Sequence, residues 1–147
     1  MTGSPVPPEL YAEVLHFYAR QMQALDGGDF AAYAATFTAD GTFKHSPALP
    51  AAQTRKGIEQ ALHEFHERFA NDPVQRRHYF NHVVLEQQED GSLRSTAYAL
   101  VLTTRPGGRP DVGPSCVVND VIVRESEGLR LKSRAVDHDQ ELAAVAA

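Results

Sequence analysis

The sequence predicts an α+β fold in which helices cover one face of a strongly curved antiparallel sheet. In the first half of the chain, apolar residues recur at helical spacing. From residue 76 onward they lie in long runs rich in β-branched and aromatic residues, separated by short stretches with turn chemistry. Helices laid across one face of such a sheet leave a cone that is open at one end, which is where ligand sites often lie.

The first predicted helix begins near Pro8, which suits a first-turn position, and ends at Asp26. Its apolar positions approximate one stripe: Leu10, Val14, Phe17, Met22 and Leu25. The stretch "ALDGGDF" (24–30) then contains the end of the first helix and the beginning of the second. Asp29 is expected to cap the second helix through its carboxylate. Asp26 lies at the negative end of the first helix, where a carboxylate loses roughly 0.3–1 kcal/mol, so it either points into water or has a partner.

The remaining elements follow in order. "TADG" (38–41) is expected to be a turn, "TFKH" (42–45) a short strand and "SPALPAAQT" (46–54) a loop. A third helix carries an apolar stripe and should end at "NDP" (71–73): Ile58, Leu62, Phe65 and Phe69. The predicted strands are "RHYFNHVVLEQ", "LRSTAYALVLTT", "SCVVNDVIVRE" and "LRLKSRAVDH". We expect a loose leader over residues 1–8, one domain over 9–138 and a tail over 139–147.

Composition restricts the classes of function. The chain has 147 residues, 42% of them hydrophobic, and a net charge of −5. It has no extended basic stretch, which argues against a nucleic-acid partner. A single cysteine, Cys116, excludes an internal disulfide and a cysteine-rich zinc site. We expect a cytoplasmic protein with no membrane segment, because no apolar run approaches 18 residues. We expect no secretory signal, because "MTGSPVPPE" has neither a charged n-region nor an apolar h-region.

Four segments resemble the SnoaL-like branch of the NTF2-like superfamily: "LDGGDFAAYAATFTADGTF" (25–43), "KGIEQAL" (56–62), "RRHYFNHVV" (76–84) and "NDVIVRESEGLRLKSRAV" (119–136). The resemblance covers about residues 9–138 and implies an NTF2-like cone. It also implies a range of functions: polyketide cyclases, scytalone-dehydratase-like lyases, ketosteroid-isomerase-like enzymes and non-catalytic subunits of ring-hydroxylating dioxygenases. The fold alone does not choose among them.

The resemblance to dehydratase-like members implies a catalytic pair of Asp26 and His78. A carboxylate bonded to one imidazole nitrogen fixes the tautomer and makes the other nitrogen more basic. That nitrogen can remove a proton next to a carbonyl and return it to a leaving hydroxyl. The alternative is that both residues are solvated at the ends of their elements.

Strand alternation predicts that His78, Phe80 and His82 share one face. His82 is then a second catalytic acid or a packed histidine, and many SnoaL-like relatives have Asn at the matching position. Phe80 would contact the substrate on the same face.

Two polar residues interrupt the apolar run "VVNDVIV" (117–123). Asn119 matches a substrate-polarising asparagine of the dehydratase-like members. Asp120 matches an aspartate of the SnoaL-like branch, which is catalytic or pairs with Arg134. Because neighbours on a strand point to opposite faces, only one of the two can enter the cavity. Cys116 falls near a position where the dehydratases have another catalytic histidine.

Other candidates have simpler interpretations. "HEFHE" (63–67) has the wrong spacing for the H-E-x-x-H zinc motif and is expected to be a solvated helix face, with no metal bound. Tyr18, Tyr33 and Tyr98 can each offer a hydroxyl to a substrate oxygen, although a buried, hydrogen-bonded tyrosine is the commoner outcome.

These observations predict a cofactor-independent lyase, cyclase or isomerase, acting by His/Asp acid–base chemistry on a small oxygenated, polyketide-like or aromatic substrate in secondary metabolism. One alternative is a non-catalytic binding or assembly subunit, whose cone should be filled with apolar side chains. Another is an epoxide hydrolase or epoxide-opening cyclase that uses carboxylates. Apolar residues on both faces of the strands predict a homodimer through the outer sheet face.

Overall fold

The structure is a computed structural model that describes residues 4–141. Its helices are α1 (Pro8–Asp26), α2 (Phe30–Ala35) and α3 (Thr54–Glu67). Its strands are β1 (Phe37–Lys44), β2 (Ala52–Gln53), β3 (Gln75–Gln87), β4 (Leu93–Thr104), β5 (Asp111–Glu125) and β6 (Gly128–His138). The strands form one sheet in the order β2-β1-β6-β5-β4-β3, and the helices pack on it, which confirms the α+β class. No helix of the described part is both long and apolar enough to cross a membrane.

The sheet is mixed rather than wholly antiparallel. Strands β3 to β6 form the predicted meander, and β1 pairs with β2 in the antiparallel sense. The exception is β1, which lies parallel to β6. Parallel neighbours need a long connection, and here it consists of β2, α3 and strands β3 to β5.

The prediction of a turn at 38–41 is wrong, because these residues lie within β1. Phe37 pairs with Leu131 and Thr42 with Ser133, so β1 has extra residues opposite β6 and bulges. The residues of the predicted turn form that bulge, in which the Thr38 hydroxyl donates to Asp40 Oδ1 at 2.9 Å. The strand predicted at 42–45 is therefore only the second half of β1.

The helical stripes pack against the inner face of the sheet. On α1 and α3 the buried residues include Val14, Met22 and Ile58, and they pack in one core with Ile122 and Leu131 of the strands. A second, smaller buried cluster lies on the sheet: Ala99, Cys116 and Val118. Members of both clusters line the main cavity described below.

The ends of the chain are described in part. Ser4, in the predicted leader, exchanges two backbone hydrogen bonds of 3.0 Å with Gln87 at the end of β3. Residues 139–141, in the predicted tail, form a helical turn. The rest of both predicted segments, residues 1–3 and 142–147, lies outside the described residues.

Candidate active site

Asp26 and His78 form a direct pair between the end of α1 and the start of β3. Asp26 Oδ1 lies 2.5 Å from His78 Nδ1, and Asp26 Oδ2 accepts the backbone N–H of His78 at 3.0 Å. The aspartate side chain is 7% exposed and the histidine side chain 21% exposed. The two contacts fix both the position and the ring orientation of His78. Because Nδ1 is engaged by the carboxylate, Nε2 is the ring nitrogen left for a substrate.

The end of α1 is built to hold this aspartate. Gln75 donates its side-chain amide to the Asp26 carbonyl oxygen at 2.9 Å, which satisfies one of the helix-end carbonyls. Asp29 accepts the Ala32 N–H at 3.0 Å and is the N-cap of α2, as predicted. The two acids of "ALDGGDF" therefore have different tasks, and Asp26 has a partner rather than pointing freely into water.

His78 lines a cavity of about 200 Å³ between the helices and the inner face of the sheet. The cavity is partly open to solvent and mostly apolar. Its apolar wall includes Met22, Leu62, Phe80 and Val118. Asp26 lies behind this wall, in an adjacent pocket that also contacts His78. The arrangement presents one oriented imidazole to a small apolar chamber.

Besides His78 and Arg134, four basic side chains line the same cavity: His45, His66, Arg76 and His138. Burial, with a further contribution from nearby cationic groups, lowers the pKa of His45 and that of His66. Both imidazoles therefore favour the neutral form at neutral pH. None of the four was predicted, although two signals existed. His66 lies four residues after Leu62 on α3, and Arg76 lies two residues before His78 on the same strand face.

Asp120 forms a buried ion pair with Arg134 on the neighbouring strand. Arg134 Nε donates to Oδ1 and Nη2 to Oδ2, both at 2.9 Å, and the two side chains are 0% and 1% exposed. Burial alone would lower the pKa of Arg134, but the Asp120 carboxylate outweighs it and raises that pKa above its usual value. Of the two roles considered for Asp120, pairing with Arg134 is the one that the geometry supports.

Tyr18 and Tyr33 complete this buried network. The Tyr18 hydroxyl lies 2.5 Å from Asp120 Oδ2 and 2.7 Å from Ser95 Oγ, while Tyr33 accepts from Arg134 at 3.1 Å. Burial and the Asp120 carboxylate raise the pKa of Tyr18 well above its usual value. Tyr33 also lines the cavity, together with Phe80, whereas the described lining does not include Tyr18.

Three predicted site residues face away from the cavity. A bulge between Asn81 and Val84 interrupts the alternation of β3, so the prediction that His82 shares the face of His78 is wrong. His82 is exposed, lies 3.1 Å from the Asn81 side-chain oxygen and packs its ring on Tyr98. Tyr98 is 56% exposed on that outer surface. Asn119 is also exposed, because Asp120 takes the inward position on β5.

The "HEFHE" motif divides between two environments. His63 and Glu67 are exposed, as predicted, and His63 lies 3.4 Å from Glu59. His66 instead turns inward, with Nδ1 2.9 Å from the Leu62 carbonyl. Among the residues that the structure describes, no three His, Cys, Asp or Glu side chains are placed to hold a metal ion.

Several solved structures are similar over nearly the whole chain. ActVI-ORFA from Streptomyces coelicolor is 56% identical, with 90% of this chain and 97% of that one covered and a TM-score of 0.85. A protein from Catenulispora acidiphila in complex with S-DNPA is 49% identical, with coverages of 94% and 99% and a TM-score of 0.86. Aln2 from a Streptomyces species is 37% identical, with coverages of 97% and 99% and a TM-score of 0.89.

More distant structures share the fold alone. An NTF2-like protein with a cystatin-like fold from Novosphingobium aromaticivorans is 19% identical at a TM-score of 0.75, which confirms the predicted NTF2-like architecture. No match was found among curated protein sequences. The family model described as the SnoaL-like domain matches residues 8–135. The chain therefore belongs to the SnoaL-like family, as its sequence motifs predicted.

Proposed function

We propose that the protein is a cofactor-independent cyclase, lyase or isomerase that moves a proton on a small oxygenated, polyketide-like or aromatic molecule, in secondary metabolism. The observation that carries the proposal is the Asp26–His78 pair, whose imidazole is held at the wall of the cavity. A general base needs a fixed tautomer and a free nitrogen within reach of the substrate, and this pair supplies both.

The chemistry follows from the two nitrogens of His78. Asp26 accepts the Nδ1–H, so Nε2 has the lone pair that removes a proton from the carbon next to a carbonyl. The carboxylate then stabilises the imidazolium. Return of that proton to a leaving hydroxyl completes a dehydration, and its return to another carbon completes an isomerisation. In a cyclisation the resulting carbanion attacks a second carbonyl carbon of the same molecule. The π bond of that carbonyl breaks as the ring closes, and the new alkoxide takes the proton back from His78 Nε2.

The shape of the site supports a small substrate. A volume of about 200 Å³ is below the roughly 300–1,000 Å³ of pockets for drug-sized ligands. The apolar wall suits an aromatic or polyketide-like body. The Catenulispora acidiphila relative, 49% identical, was solved with S-DNPA, which supports a small-molecule ligand for this chain as well.

The geometry favours this proposal over both alternatives. An assembly subunit should fill its cone with apolar side chains, whereas this cavity is open and lined by His78. An epoxide-opening enzyme needs a carboxylate facing the substrate. Asp120 does not supply one, because Arg134 and Tyr18 occupy its oxygens.

The proposal is tested with 3-hydroxy-1-tetralone, a small β-hydroxy ketone. Removal of a C2 proton and loss of the C3 hydroxyl give one water and an enone that tautomerises to fluorescent 1-naphthol. Exchange of the C2 protons in D₂O reports proton removal even without elimination. We expect the protein to accelerate exchange, elimination or both, and His78→Asn to abolish the acceleration.

The control is His63→Asn, the same substitution at an exposed histidine of α3, which should behave like the unmodified protein. Exchange that is as fast with His78→Asn as with the unmodified protein would show that His78 is not the base. Acceleration of exchange without elimination would assign an isomerase or cyclase rather than a lyase.

A further inference from the structure

In the described part of the chain, the main cavity is lined by basic side chains and not by acidic ones. Its wall includes six residues that are cationic or can become so: His45, His66, Arg76, His78, Arg134 and His138. Among the described residues that line it there is no Asp or Glu. Two of the six, His78 and Arg134, bond carboxylates that lie outside this lining, Asp26 and Asp120.

Arg76 is the cavity cation with an unused binding edge. Arg134 is bonded to Asp120 through two nitrogens, and the exposed Arg105 and Arg124 each hold a carboxylate in the same two-bond manner. Within residues 4–141, no carboxylate forms an ion pair with Arg76, and its guanidinium donates no hydrogen bond to another side chain. Of the two arginines that line the cavity, Arg134 is therefore neutralised by Asp120, whereas Arg76 has no carboxylate partner among the described residues.

Two aromatic rings hold the Arg76 guanidinium in place. Its central carbon lies 4.4 Å from the ring centre of Phe69 and 5.3 Å from that of Phe65. Stacking covers the flat face of a guanidinium and leaves its N–H edge free, and that edge is the one that binds a carboxylate through two parallel hydrogen bonds. Burial, together with the nearby Arg105, lowers the pKa of Arg76. An anion at the free edge would offset that cost.

We propose that Arg76 binds a carboxylate group of the substrate, so that the cavity selects an aromatic or polyketide-like acid over its neutral analogues. The inference rests on the proposed function for the identity of the cavity as the substrate site. It also predicts how far the carboxylate of the substrate lies from the carbon that reacts. Arg76 and His78 are two residues apart on one strand face, about 6.6 Å along the strand, so the carboxylate lies several bonds from the carbon that loses the proton.

The test measures binding rather than turnover, and it uses 1-naphthaleneacetate and its neutral methyl ester as probes. Calorimetry or fluorescence quenching gives a Kd for each, and the ratio of the two isolates the contribution of the carboxylate. We expect the acid to bind at least about tenfold more tightly than the ester, as for other hydrogen bonds to charged groups. In Arg76→Gln the ratio should fall to about one while the Kd of the ester is unchanged.

Arg77→Gln is the matched control, because Arg77 is the next residue of β3 and points to the exposed outer face. It should keep the ratio of the unmodified protein. If Arg76→Gln does not fold, Arg76→Lys replaces it: the charge stays, the fork is lost, and the ratio should fall by at least about threefold. Equal binding of acid and ester, or an unchanged ratio in the Arg76 variants, overturns the assignment.

His78→Asn separates this inference from the proposed function. It should keep the preference for the acid even though it loses proton exchange. A protein that selects the acid through Arg76 but exchanges no protons would support the carboxylate site and count against the acid–base proposal.

Discussion

Asp26 lies at the end of a helix where its charge is unfavourable, and it is partnered there by His78. A carboxylate at a helix C-terminus is unfavourable by roughly 0.3–1 kcal/mol. Its two oxygens contact the ring and the backbone of His78, so the position that is poor for the helix is good for orienting an imidazole. Asp29, three residues later, caps a helix in the ordinary way.

Substitution of these two acids should separate chemistry from stability. Asp26→Asn keeps the shape but no longer stabilises a protonated His78, so we expect at least about a tenfold loss of proton exchange, equivalent to roughly 1.4 kcal/mol in the barrier. Its melting temperature should change little. Asp29→Ala removes a cap and should cost about 0.5–2 kcal/mol of stability with exchange intact. Exchange on 3-hydroxy-1-tetralone and thermal melting are measured for both variants.

The opposite result would identify Asp26 as merely structural. An Asp26→Asn variant that melts lower yet exchanges protons at the normal rate would show that the pair with His78 does not serve chemistry.

Asp120 is expected to stabilise the folded protein through its ion pair with Arg134. Asp120→Asn leaves Arg134 charged and fully buried without its counter-ion, a change that typically destabilises a protein by about 3–5 kcal/mol. Denaturant unfolding measures the loss. Asp120→Asn combined with Arg134→Met removes both charges and should recover much of the stability. A single variant as stable as the unmodified protein would contradict the assigned role of the ion pair.

Strand β3 shows why element-level prediction can succeed while the placement of one residue fails. The run "RHYFNHVVLEQ" predicted a strand, and period-two alternation correctly placed Phe80 with His78 on the inner face. His82 should have followed, but the bulge between Asn81 and Val84 reverses the faces from that point, and Val83 is buried instead. His82 has a φ of 53°, which the sequence gives no means to anticipate for a histidine.

The bulge makes a prediction at the element scale. A positive φ suits glycine and is most unfavourable for a β-branched residue. His82→Gly should therefore leave the free energy of unfolding unchanged or raise it, and His82→Val should lower it by roughly 1–3 kcal/mol. Chemical denaturation of the two variants gives both values. Equal stability of the Val and Gly variants would show that the bulge does not have this backbone conformation.

The helices and hairpins could be predicted because each depends on local signals, although α3 ends at Glu67 rather than at the predicted 71–73. Amphipathic spacing, the Asp29 cap and the turn residues between strands are all visible in sequence. The bulge in β1 and the parallel pairing of β1 with β6 depend on partners far along the chain, and so does the set of basic residues around the cavity. His45, just after β1, and His138, at the end of β6, for example, are brought to one cavity only by the folded sheet.

At the scale of the whole molecule, the buried histidines predict a pH dependence of stability. The pKa values of His45 and His66 are lowered from 6.5 in the folded state. The unfolded chain then binds more protons below about pH 6.5, so their contribution is present above that pH and is lost as the pH falls toward the folded values. We expect the free energy of unfolding to decrease between about pH 7 and pH 5.

Single substitutions show which histidines cause this change of the free energy of unfolding with pH. His45→Asn and His66→Asn should each flatten it, whereas His63→Asn, at an exposed position, should not. The carboxylates with lowered pKa values, such as Asp72 and Glu13, act below their ordinary values of 3.8 and 4.5 and so outside this range. Denaturant unfolding across the pH series provides the data. A slope that is unchanged in both cavity variants would refute the assignment.

The outer face of the sheet has several exposed apolar side chains. Tyr79 and Tyr98 lie on adjacent strands and are 51% and 56% exposed, and Val84 and Val112 are 60% and 74% exposed. Helices cover only the inner face, so these side chains remain in contact with water in a single chain. Exposed apolar side chains on one face often belong to an interaction surface, and identical chains most often associate through one such surface about a twofold axis.

We therefore predict a homodimer that forms through the outer faces of β3 and β4. Light scattering at micromolar concentration should give twice the mass of one chain. Tyr98→Glu places a charge at the centre of the proposed interface and should give a monomer that remains folded, because the side chain makes no contribution to the core. Leu15→Glu is the matched control: Leu15 is 42% exposed on α1, away from the sheet, and the variant should stay dimeric. A monomeric mass for the unmodified protein, or dissociation by Leu15→Glu but not by Tyr98→Glu, would rule out this interface.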